Sequence, residues 1–103
     1  MKLKDIAHSR TGDKGDTINI SVIAFDEKDY PIIKKQVTTA KVRRFLGETV
    51  KGEVVRYELP KLGAMNFVMQ KALRGGVTRS LRLDKHGKTL SSMLLEMPLN
   101  TND

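Results

Sequence analysis

The sequence predicts an α+β sandwich, with helices packed on one face of a mainly antiparallel sheet. Three observations carry this. Some short runs are apolar at period two, others are apolar at helical spacing, and turn residues separate the two kinds. The resulting order is strand, strand, helix, strand, helix, strand, strand.

Each element has its own reason. "KLKDIA" reads as a short first strand. "TINISVIAF" reads as a second, with Ile18, Ile20, Val22 and Ala24 on one face and Asn19 and Ser21 on the other. Ile23 and Phe25 make its far end apolar on both faces, as an interior strand requires. "DEKDYP" starts a helical turn that pairs Ile32 and Ile33 with Gln36 and Val37. "TTAKVRRFLG" has threonines at its start and Gly47 at its end. It predicts a helix with a buried stripe of Val42, Phe45 and Leu46, leaving Lys41, Arg43 and Arg44 in water. "GEVVRYELP" is a strand carrying Val55, Tyr57 and Leu59 on one face, stopped by Pro60.

"GAMNFVMQKALRGG" predicts a mostly buried helix. Asn66, Gln70 and Arg74 recur every four residues as a polar edge, and Gly75 ends it. Arg74 there complements the helix dipole. "TRSLRL" and "TLSSMLLEM" flank "DKHGK" as a hairpin with His86 in its turn, although Leu90, Met93, Leu94 and Met97 also fit a helix. We expect residues 1–97 to form the domain and 98–103 a loose tail.

Composition narrows the function classes. At 103 residues the chain has room for one core, and a domain this small often gains stability from a partner or a second copy. It has no cysteine, which excludes disulfides, thiolate metal sites and cysteine nucleophiles. The first ten residues lack the apolar run of a signal peptide, and no stretch is apolar enough to span a bilayer, so a cytoplasmic location is expected. The net charge of +7 is uneven. Residues 1–30 hold 5 basic and 6 acidic residues, residues 31–75 hold 10 and 3, and residues 76–103 hold 4 and 3. A basic middle favours anionic partners.

The opening stretch "HSRTGDKGDTINISV" is the main candidate site. It is no Walker loop, because "GDKGDT" lacks the spacing and leads into a strand. Its backbone amides could still bind an anion; the alternative is a tight turn with glycines at positive φ and aspartates bonding local amides. Arg79 adds weight to the first reading. It shares a strand face with Leu81 and Leu83, and a charge there needs a partner, for which Asp13 and Asp16 are the candidates. The expected site therefore has one wall of Arg10, Gly12, Asp13, Lys14, Gly15, Asp16 and Asn19, and another of Thr78 and Arg79. Arg10 and Lys14 would contact an anionic group, Asn19 would hydrogen-bond the ligand, and the aspartates would orient the cations. His8 and Ser9 are adjacent on a strand and so cannot easily form a hydrolytic pair. His8, Asp13 and Asp16 lack recognised metal-ligand spacing.

The segments "IAHSRTGDKGDTINISVIA", "RYELPKLGAMNFVMQKALRGGVTRSLRLDKHGK" and "LSSMLLEM" resemble the AtuA-like ferredoxin-fold family. These are small domains similar to the C-terminal part of acyclic terpene utilisation protein A, and the resemblance covers residues 1–97. It implies a ferredoxin-like fold and an association with breakdown of terpenoid or branched acids carried as CoA thioesters. It also implies a larger partner, since in bigger relatives this domain follows a large N-terminal part that would here be a separate chain. It implies no particular catalytic residue or cofactor. The expected function is an accessory or ligand-binding subunit, with an anionic small molecule such as a CoA thioester as its ligand. The alternatives are a small enzyme with an aspartate or His8 as general base, and a basic nucleic-acid-binding module. The last is disfavoured, because Phe45, Tyr57 and Phe67 are already assigned to core faces and no RNA-stacking signature surrounds them.

Overall fold

Ile18, Ile20 and Val22 are buried on one face of the strand that the second apolar run forms. Around that strand the architecture assembles. The computed structural model of the protein describes residues 1–14, 16–47, 50–71 and 90–100. Its sheet contains β1 (Ala7–Lys14), β2 (Thr17–Ala24), β3 (Val50–Leu59) and β4 (Ala64–Lys71). The order is β1-β2-β4-β3 and all three pairings are antiparallel. Helices α1 (Tyr30–Gln36), α2 (Thr39–Leu46) and α3 (Leu90–Leu94) cover one face. Ile33, Val42, Leu46 and Leu94 pack there against Ile20, Val22, Met65 and Phe67 in one apolar cluster. The predicted α+β sandwich is the observed one.

Several elements differ from their sequence reading. "KLKDIA" is not a strand: Leu3–Asp5 forms a 3₁₀ turn in which the Asp5 carboxylate accepts the Lys2 amide at 2.8 Å. Leu3 and Ile6 are both buried, a three-residue spacing that suits a turn and not a pleat. β1 instead runs through "HSRTGDK", read from sequence as loop. Its core-side positions are Ala7, Ser9 and Thr11, small or polar, so it shows no apolar alternation. The two hydroxyls are satisfied internally, Ser9 Oγ donating to the Ser21 carbonyl at 2.5 Å and Thr11 Oγ1 accepting from the Ser91 amide at 3.0 Å.

The central correction concerns "GAMNFVMQK", which is strand β4 and not a helix. Met65, Phe67 and Met69 alternate inward while Asn66, Val68 and Gln70 alternate outward, so the segment satisfies both periods. Its place between β2 and β3 gives its backbone two ladders, and that tertiary pairing overrides local helix preference. The expected end of that helix, Arg74 and Gly75, and the hairpin around His86 lie outside the described residues. "LSSML" adopts the helical alternative, α3, with Leu90 and Leu94 buried.

The helices on the chain's first half follow their sequence signals. Pro31 sits in the first turn of α1, and Ile33, Gln36 and Val37 are buried. Thr38 caps α2 by accepting the Lys41 amide at 3.2 Å, and Gly47 ends it at φ 58°. Phe45 departs from its expected stripe and stays 37% exposed. Arg56, on the helix side of β3, donates to the Lys34 and Val37 carbonyls at 2.8 and 3.0 Å and so closes the end of α1.

Residues 98–100 are held, where a loose tail was expected. Leu99 is buried and its amide donates to the Met1 carbonyl at 2.7 Å. The buried Gln36 carboxamide makes two 2.7 Å bonds to the Asn100 backbone, one in each direction. Residues 101–103 lie outside the described set.

Candidate binding surface on the open sheet face

Among the described residues the helices lie on one side, and none covers the other face of the sheet. The β1–β2 register sets Arg10 opposite Ser21 and Gly12 opposite Asn19. Arg10, Gly12 and Asn19 thus share the open face. The Asn19 carboxamide lies across Gly12, and a Cβ built there would collide with its Oδ1. Gly12 is therefore a close-approach glycine with no positive φ, so the tight-turn alternative does not hold at this position. Arg10 is exposed and makes no ion pair among the described residues, so its charge is open to an anion.

The other expected site residues fall differently. Asp16 is exposed at the hairpin end, with no ion pair among the described residues. Asp13 stands in register with Ile18 and Lys14 with Thr17, which puts Asp13 out of phase with Arg10 and Gly12. Gly15, Thr78 and Arg79 lie outside the described residues, and with them the second wall. His8 and Ser9 do take opposite faces. The His8 ring stacks on Phe25 at 5.4 Å between centroids, while Ser9 is occupied by the Ser21 carbonyl. Among the described residues no three His, Asp or Glu side chains converge as a metal site would need.

Sequence reasoning missed half of this surface. Leu59, Phe25 and Leu62 (69% exposed) lie at the His8–Ile23–Ala64 end of the open face, with Tyr57 (55% exposed) one row in, level with Arg10, and Val55 a further row in, level with Asn19. A groove of about 410 Å³ runs there between Ile23, Leu59, Leu62, Ala64 and Asn66. Val55, Tyr57 and Leu59 do share one face as predicted, but it is the outer one. The available signal was Ile23 and Phe25, which make β2 apolar on both sides. A second groove, about 360 Å³ and more polar, lies toward Thr17, Glu53 and Gln70. The open face is therefore apolar around Leu59 and Leu62 and more polar toward Thr17 and Gln70, with Arg10 level with Tyr57 and Asn19 level with Val55.

The antiparallel four-stranded sheet with helices on one side defines a ferredoxin-like α+β domain. The family model of the AtuA ferredoxin-like domain matches residues 1–100, and the chain belongs to that family. A search of curated proteins and a search of solved structures found no match. Among the described residues no helix is long and apolar enough to cross a membrane.

Proposed function

We propose that the chain is an accessory, ligand-binding module that works with a larger AtuA-type subunit in cytoplasmic terpenoid or branched acyl-CoA catabolism. The observation that carries this reading is the open face, where exposed apolar side chains that can seat a protein surface share the sheet with Arg10, a cation that can meet an anionic ligand. Exposed contiguous apolar side chains of this kind mark interaction surfaces. In the same reading Arg10 and Lys14 hold the anionic part of a CoA thioester, Asn19 hydrogen-bonds it, and Asp16 orients the cations around the Gly12–Gly15 backbone. Thr78 and Arg79 form the opposite wall. The basic balance of the chain supports an anionic ligand.

Two measurements test the reading. Calorimetric titration with CoA should give saturable binding that Arg10→Ala or Arg79→Ala weakens about tenfold, the scale of one charge-assisted contact. Mixed with an AtuA-type large subunit from the same organism, the chain should co-elute on gel filtration, and Leu62→Asp should abolish co-elution. Unchanged CoA affinity in both arginine variants overturns the ligand assignment. Co-elution unaffected by Leu62→Asp overturns the docking assignment.

A further inference from the structure

The helix-covered side carries a separate groove that the reading above does not use. It has a volume of about 370 Å³ and is lined by Lys41, Arg44, Phe45, Met97 and Pro98. Phe45 lies four residues after Lys41 and one after Arg44, so one side of α2 presents an aromatic ring beside two cations. Met97 is buried beneath, and Pro98 follows it. Among the described residues no acidic side chain lines the groove, and neither Lys41 nor Arg44 makes an ion pair. The exposure of Phe45, which departs from a helix stripe otherwise buried at Val42 and Leu46, is explained if a ligand covers it.

We infer that this groove binds a small amphipathic acid, a carboxylate on an apolar chain, with the head between Lys41 and Arg44 and the chain along Phe45, Met97 and Pro98. Its volume stands at the lower end of small-molecule pockets, about 300–1,000 Å³, which suits a medium-chain acid. An exposed ion pair by itself contributes little in water, so the charge selects the head and orients it while the chain supplies affinity. Each buried methylene tightens binding about fourfold. This inference stands apart from the open-face site and survives its failure.

The test is an amide-resolved NMR titration of the full chain with sodium octanoate below its micelle concentration. Hexanoate, acetate and neutral octyl glucoside serve as comparisons. Saturable shifts should centre on Lys41, Arg44, Phe45, Met97 and Leu99. Octanoate should bind about fifteenfold tighter than hexanoate, as two methylenes dictate, and acetate should move nothing. The double variant Lys41→Glu, Arg44→Glu changes only exposed positions and should keep its amide dispersion while losing octanoate binding. Octyl glucoside binding as tightly as octanoate, shifts centred on Arg10 or Leu62, or octanoate binding retained by the double variant would each overturn the proposal.

Discussion

Gly12 carries no side chain because Asn19 occupies the space one would take. The colliding atom is the tip of a carboxamide that can swing, so Gly12→Ala should cost little. The cost of a poorer Asn19 rotamer, about 0.5–1.5 kcal/mol, opposes the gain of about 0.5–1 kcal/mol from removing a strand glycine. Urea denaturation should place the variant within about 1 kcal/mol of the parent, while the Asn19 side-chain amide resonances move. At Gln36 the balance differs, since both ends of a buried carboxamide are committed to Asn100. Gln36→Leu keeps much of the volume and loses both bonds, at about 0.5–1.5 kcal/mol each. A stability loss of about 1–3 kcal/mol is expected, with faster hydrogen exchange at the Asn100 amide.

Among the elements, β1 and α3 depend on each other. A five-residue helix has too few internal hydrogen bonds to stand alone. Thr11 of β1 supplies a capping acceptor from 80 positions away in the chain. Thr11→Val preserves shape and removes the acceptor, which should destabilise the protein by about 1 kcal/mol and raise exchange at the Ser91 amide first. Arg56 does the same service at the other end of α1, where its guanidinium meets two carbonyls. These devices join segments far apart in sequence, and local patterns do not reveal them. Period, the leading proline of α1 and the threonine cap of α2 were enough for β2, α1 and α2. They were not enough for β4, whose residues satisfy both periods.

For the whole molecule, residues 1–4 meet the segment 95–99. Lys2 Nζ and Lys4 Nζ lie 2.7 and 3.2 Å from the Glu96 carboxylate. The hydrogen bond from Lys2, with that from Lys4 next, holds the Glu96 carboxyl below its ordinary 4.5. The same bond, with the charge of Glu96, holds Lys2 above its ordinary 10.5. A lowered acid contributes stability above 4.5 that is lost as pH falls through the folded value. A raised lysine contributes below 10.5 and loses it as pH rises through its own. Glu96→Gln should therefore lower the urea midpoint slightly at pH 7, and the gap from the parent should close toward pH 3. The groups are exposed, so added salt should narrow the gap as well.

By itself the sequence determined the sandwich class, the inward face of β2, the proline-led helix α1 and the threonine-capped helix α2. Each of these follows from residues within a few positions of one another, where periodicity and capping act. Tertiary structure alone decided that β4 is a strand, that Tyr57 and Leu59 face outward and that the Asn100 backbone is clasped by Gln36. The physical reason is that sheet pairing, and which face the helices cover, depend on contacts between distant segments. Alternation can say that Val55, Tyr57 and Leu59 share a face; only the packed helices say which face is open.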